Sequence, residues 1–298
     1  MDLVLTLVAP PNAGAFSVNL REVFASVGAR GKDSRKLDAG EAAATDLVLE
    51  ADSLLTVRAA LVPAMAGQPL DWCLQPLAGR KKRLLIADMD STIINVECLD
   101  EIADYAGLKA EISAITERAM RGELPFEAAL RQRVAMLKGL PVAVLEQAYD
   151  ERVRLNPGAR TLVRTMAANG ARCVLVSGGF NFFTARVAAE AGFHADRANW
   201  LQSEAGLLTG TVGEPILGRE AKVRALEEEA LAIGTPLAAA VAIGDGANDL
   251  AMIDAAGLGV AYRAKPVVAA AADARIDHAD LTALLYFQGY QQSDFVID

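Results

Sequence analysis

Four aspartates carry the chemistry that this sequence offers. Two stand at 88 and 90 in "LLIADMDSTIINVE" (84–97), where four apolar residues run straight into a carboxylate pair. Two more, Asp245 and Asp249, sit in "IGDGANDLAMI" behind the apolar run "AVAI" (240–243). In an extended segment residues two apart point to the same side, so Asp88 and Asp90 are expected to face one small volume. Like charges that close raise one pKa, leaving one acid ionised and its neighbour protonated. The ionised acid can attack or ligate, and the protonated one can donate a proton. A carboxylate cluster with no histidine partner suits a hard, oxygen-seeking cation, Mg²⁺ above all.

Other candidates are of a different kind. Ser177-Gly178-Gly179 follows the apolar run "CVLV" (173–176) and precedes a helical pattern, so its hydroxyl and backbone N–H groups suit an anion. Lys222 opens the helical segment "EAKVRALEEEALAIG" (220–234) and supplies a point charge for phosphate. A carboxylate 4 Å from one phosphate charge is repelled by about 4 kcal/mol at an effective dielectric near 20, and a dianion roughly doubles that. An attacking aspartate therefore needs a metal and a lysine beside it. Taken singly, these motifs are weak: the acids could cap a helix or form turns, and the lysine could be a solvated charge. Together they describe phosphoryl transfer.

The elements around them must bring distant segments together. Apolar runs ending in polar clusters, separated by helical patterns such as "GARTLVRTMAANG" (158–170), imply α/β architecture with a Rossmann-like parallel sheet covered on both faces. All strands of such a sheet point one way, so the polar clusters share its carboxyl edge, where ligands bind. Between the first two of these strands, residues 98–155 are helix-patterned throughout and read as an inserted cap able to act as a lid. Residues 1–80 read separately: strand at 3–9, helix at 12–28, two strands around 32–38 and 45–51, a helix at 52–67 with Pro63 near its end, and a strand at 70–77. That βαββαβ order is ferredoxin-like, and the charged "AGRKKR" (78–83) marks a boundary before a catalytic domain at 81–298.

Bulk composition narrows the classes. A net charge of −9 argues against nucleic acid and anionic membrane surfaces as partners, but not against a small anionic substrate met by local cations. No stretch is long and apolar enough for a membrane helix, and the acid at position 2 and Pro10-Pro11 are unlike a secretory leader. Cys73, Cys98 and Cys173 lack metal or disulfide spacing, which points to free thiols in a reducing cytoplasm. His194 and His278 are expected to be structural, and Glu227 to Glu229 a solvated helix face.

The set D-x-D-S/T at 88–92, the strand-end serine, the lysine and G-D-G-x-N-D at 244–249 resembles the four motifs of the haloacid dehalogenase superfamily, and most closely its phosphoserine phosphatase branch. The resemblance covers about residues 84 to 282; residues 1–80 more loosely resemble the ACT-like regulatory domain found before some members. It implies Asp88 as the nucleophile that becomes an aspartyl phosphate, and Asp90 as general acid and base. Asp88, the backbone oxygen of Asp90, and Asp245 would hold Mg²⁺, with Asp249 supporting. Ser177, Gly178, Lys222 and Asn248 would bind phosphate. Glu97 and Arg133, at the cap that begins near 97, match positions that hold the substrate's ammonium and carboxylate. The implied activity is hydrolysis of O-phospho-L-serine, the closing step of serine synthesis. Another small-molecule phosphatase, a phosphotransferase, or an amino-acid-sensing protein acting through residues 1–80 are the competing readings. ACT-like modules commonly pair, so a homodimer is compatible with the resemblance.

Overall fold

The computed structural model describes residues 1–10, 18–38, 43–120 and 123–297. The chain opens with β1 (Asp2–Ala9), α1 (Leu20–Ser26), β2 (Arg30–Lys36), β3 (Ala43–Glu50), α2 (Leu54–Met65) and β4 (Asp71–Pro76). They form a four-stranded antiparallel sheet in the order β2-β3-β1-β4. This is the expected ferredoxin-like order. The first helix is shorter than its pattern suggested, and residues 12–17 of that expectation lie outside the described residues. Pro63 does lie in the last turn of α2, where its missing N–H costs one bond rather than a broken helix.

Then come β5 (Leu84–Ala87), the cap helices α3 (Cys98–Tyr105), α4 (Lys109–Met120), α5 (Phe126–Met136) and α6 (Ala143–Arg152), and α7 (Ala159–Ala168). They are followed by β6 (Arg172–Phe180), α8 (Asn181–Ala191), β7 (Ala195–Asn199), the hairpin β8 (Leu201–Glu204) and β9 (Leu207–Val212), and α9 (Arg219–Ala232). The chain closes with β10 (Ala240–Gly244), α10 (Leu250–Ala255), β11 (Leu258–Tyr262), α11 (Pro266–Ala271), β12 (Ala274–Ile276) and α12 (Ala283–Phe287). Six of these strands make a parallel sheet ordered β12-β11-β10-β5-β6-β7.

Alternation along the strands shows why β5 carries no polar residue. Leu84 and Ile86 belong to one hydrophobic cluster, with Leu226 of α9 and Met252 of α10. Leu85 and Ala87 belong to another, with Leu162 of α7, Phe183 of α8 and Leu284 of α12. Each face has its own helical cover, as a buried parallel sheet requires.

The second cluster does not stop at the half that holds the parallel sheet. It extends through Val8, Leu37, Ala44 and Cys73 of the N-terminal sheet, whose opposite face packs Leu3, Leu5 and Leu74 beneath its own helices. Polar bonds fix this docking. Asp71 on β4 is buried and accepts from the backbone N–H groups of Asp277, His278 and Ala279. Gln75 donates to the Phe287 carbonyl at 2.7 Å, Tyr286 to Asp38 at 3.0 Å, and Arg80 of the connecting segment reaches Asp46 at 2.6 Å. The described part of the N-terminal sheet is thus bonded to residues 277–287 near the end of the chain. Glu229 also departs from expectation: it is buried and paired with Arg172 and Arg197, not solvated.

Candidate active site

Strand register brings the acids together. β10 lies beside β5 with Ile243 opposite Ala87, and the Asp88 N–H donates to the Ile243 carbonyl at 3.0 Å. Asp88 and Asp245 therefore leave neighbouring strand ends. On the other side β6 pairs Leu175 with Ala87, which sets Ser177 just beyond the same edge. The predicted convergence at the carboxyl edge is what the sheet shows.

At the floor Lys222, 1% exposed, places its Nζ 2.6 Å from an oxygen of Asp88 and 2.6 Å from an oxygen of Asp249. The second oxygen of Asp249 accepts from the Gly246 N–H at 3.0 Å, and Asp88 accepts from the Met89 N–H at 2.9 Å. Asp245 accepts from the Thr92 hydroxyl at 3.2 Å. One oxygen each from Asp88, Asp245 and Asp249 lies within 4.8 Å of the others. Two of the three acids thus share one ammonium, and the third, Asp245, lies beside them. Burial and then the charge of Asp249 push the Asp88 carboxyl well up, against the pull of Lys222. The same two causes raise Asp245 to about 6. An oxygen-only donor set with surplus negative charge fits a divalent cation of the hard class. The Asp90 carboxylate stands outside this trio, and Asp249 stands inside it with both oxygens engaged, by Lys222 and the Gly246 N–H.

Asp90 has its own surroundings. One oxygen accepts from the Cys98 N–H, the first amide of α3, at 3.0 Å, and the other from the Ser177 hydroxyl at 3.3 Å. Its pKa is raised to about 7, first by burial and then by the charge of Glu97. The expectation that Asp88 and Asp90 would split each other's pKa is thus corrected. The two carboxylates go to different partners, Asp88 to Lys222 and the Met89 N–H, Asp90 to the Cys98 N–H and Ser177. The chain then turns at Ser91, whose φ is a left-handed 55°. Asp90 comes out as an acid poised near neutrality.

Ser177 is 1% exposed, and its oxygen also accepts from the Gly179 N–H at 2.9 Å. A Cβ at Gly179 would stand 2.9 Å from the Asp90 carboxylate, so only glycine lets the loop approach this closely. Asn248 donates weakly to Asp249, at 3.4 Å.

The cap contributes the far wall. Glu97, exposed, accepts from the Ser91 hydroxyl at 2.7 Å. Arg133 on α5 donates to the Ala129 carbonyl and to the Thr116 hydroxyl, with no carboxylate among its partners in the described residues. Desolvation lowers its pKa, while Asp100 and Glu97 oppose the shift. Phe126, first residue of α5, lies against Gly178 and Gly218, where added Cβ atoms would meet its ring at 3.4 and 3.3 Å. Thr92 and Phe126 were not singled out from sequence. Thr92 lies inside the first motif and was legible there; a lone exposed aromatic gives no such signal.

A profile of the haloacid dehalogenase-like hydrolase family matches residues 85–254. A phosphoserine phosphatase of Polaromonas sp. strain JS666 is 50% identical over 208 residues, covering 68% of this chain and 88% of that protein. A solved HAD family hydrolase from Salmonella enterica serovar Typhi superposes with a TM-score of 0.83 at 29% identity, over 97% of this chain and 99% of that one. A phospho-aspartyl intermediate analogue of phosphoserine phosphatase gives 0.65 at 39% identity, over 70% of this chain and 99% of that one.

Proposed function

Because the chain belongs to the haloacid dehalogenase-like hydrolase family, we propose that it hydrolyses O-phospho-L-serine to L-serine and phosphate through an aspartyl phosphate on Asp88. The observation that carries this reading is the buried Asp88–Lys222–Asp249 array beside Asp90, which faces a cap holding Glu97 and Arg133. The 50% identity to a named phosphoserine phosphatase supports the substrate.

The steps follow from the side chains. Ser177, the Gly178 amide, Asn248 and Lys222 hold the phosphoryl oxygens. An Asp88 oxygen attacks phosphorus, and the bond to the serine oxygen breaks. Asp90, with a pKa about 7, gives its proton to that leaving oxygen. L-serine departs. The same carboxylate, now ionised, takes a proton from water, which attacks the phosphorus of the aspartyl phosphate and frees Asp88. The carboxylates of Asp88 and Asp245 with the backbone oxygen of Asp90 would hold Mg²⁺, supported by Asp249, and the bound ion supplies the positive charge that lets a carboxylate approach a phosphate dianion.

Selectivity belongs to the cap. Glu97 receives the substrate ammonium and Arg133 its carboxylate, a pairing that leaves one charge unmatched when either group is missing. Residues 1–80 form an ACT-like module, docked on the catalytic half and contributing no side chain to the acidic trio. Free, buried thiols at Cys73, Cys98 and Cys173 support the reading of a reducing, cytoplasmic setting. The test is phosphate release with Mg²⁺ from phosphoserine, phosphoglycolate and a hexose phosphate. Phosphoserine should lead by at least about tenfold in kcat/KM; equal rates would remove the amino-acid reading.

A further inference from the structure

Asn199 ends β7 and is 1% exposed, a full amide buried beside the site with no role in the steps above. Its Nδ2 donates to the Gly178 carbonyl at 2.9 Å and to the Leu217 carbonyl at 3.2 Å. Its Oδ1 accepts from the Leu217 N–H at 2.7 Å. Both donors and the acceptor are in use, which no other side chain of this size can match.

The two segments it joins carry Ser177, the Gly178 amide and Lys222, three of the four phosphate-binding groups. Gly178 is the middle of the Ser177–Gly179 loop. A trans peptide points its carbonyl and the next N–H in opposite directions. Holding the Gly178 carbonyl therefore aims the Gly179 N–H at the Ser177 oxygen, where it is found at 2.9 Å. Leu217 is the last residue before Gly218 and α9, the helix of Lys222. Between Asn199 and Leu217 the chain leaves as the hairpin β8–β9, whose tip is bonded to the cap: Gly139 N–H to the Leu208 carbonyl, Leu208 N–H to the Leu140 carbonyl, and Val142 N–H to the Gly206 carbonyl. The Asn199 amide thus closes the base of this hairpin, where the chain leaves the sheet and returns toward α9.

We propose that Asn199 is a positioning residue for phosphate, stapling the Ser177–Gly179 loop to the entry of the Lys222 helix so that both address one phosphoryl group. This rests on the functional reading above for the identity of the anion. It does not rest on the serine part of that reading.

The experiment compares native protein with Asn199→Asp and Asn199→Ala in the presence of Mg²⁺, titrating inorganic phosphate and L-serine separately and recording each Tm. Aspartate keeps the shape but sets a carboxylate against two carbonyls; alanine removes all three bonds. Phosphate affinity should fall by about tenfold or more, with L-serine affinity, set by Glu97 and Arg133, within about twofold. In turnover the loss should appear in kcat/KM for every phosphomonoester tried. Unchanged phosphate affinity in a folded variant would overturn the proposal. So would parallel losses of phosphate and serine binding tracking Tm, or failure of both variants to fold, since each makes Asn199 a general support. A native protein that binds phosphate but not L-serine would sink the phosphoserine reading alone, and phosphate affinity against Tm would still decide Asn199.

Discussion

Asp88, Ser177, Lys222 and Asp249 are each at most 4% exposed and bonded within the site, whereas across from them Glu97 is exposed and Arg133 has no carboxylate partner among the described residues. The first group grows from strand ends and a helix of the rigid sheet. The second sits on an inserted cap. A buried charge must be paired to be tolerated, so the core side carries its compensation permanently. A guanidinium left with neutral acceptors is completed only by a ligand carboxylate. Reactivity is built into the fold here, and selectivity waits for the substrate.

That contrast can be broken from either side. On the core side, Lys222→Met should have the largest effect: kcat should fall by about 10²–10³-fold, since the phosphate loses its cation and Asp88 faces Asp249 unshielded. Substrates of every kind should suffer alike, and a loss confined to phosphoserine would contradict the division. On the cap side, Arg133→Ala should raise KM for phosphoserine by about ten- to a hundredfold, the worth of hydrogen bonds to a charged group. Phosphoethanolamine, which has the ammonium but no carboxylate, should be turned over as before. Equal damage to both substrates would mean that Arg133 supports the cap rather than reads the ligand.

The smallest effect concerns stability without metal. Asp88, Asp90 and Asp245 all have raised pKa values in the fold, Asp245 about 6 and Asp90 about 7. The folded chain therefore binds more protons than the unfolded chain above pH 4 or so. The stability they contribute is fully present below the ordinary carboxylate pKa and is lost as pH rises through about 6 to 7. In chelator, Tm should be lower at pH 8 than at pH 5, and Mg²⁺ should remove most of that difference. A metal-free Tm that climbs over this interval would show that the acids are not crowded in solution.

Legibility in the sequence divides along physical lines. The strand-end acids, Ser177 and Lys222 could be read because a carboxylate directly after a buried apolar run conflicts with burial unless it has a function. Asn199 could not: its neighbours in "RANWL" form no pattern, and its role depends on two carbonyls brought to it from 21 and 18 residues away. The hairpin at 201–212 was hidden for a similar reason, since "LLTGTV" is half polar and is completed by β8 on one side and the cap on the other. The docking of the N-terminal sheet left a clue in β1, "DLVLTLVA", which is apolar on both faces and so requires cover on both. The polar anchors Asp71, Gln75 and Asp46 masked that need, because an isolated reading assigns them to solvent.

The most direct test of the central claim is to quench a reacting mixture of protein, Mg²⁺ and phosphoserine in acid and search its peptides by mass spectrometry. The account predicts one added phosphoryl group on Asp88, absent when Asp88→Asn is treated alike. Undiminished turnover by Asp88→Asn, or a phosphoryl group carried on any other residue, would contradict it.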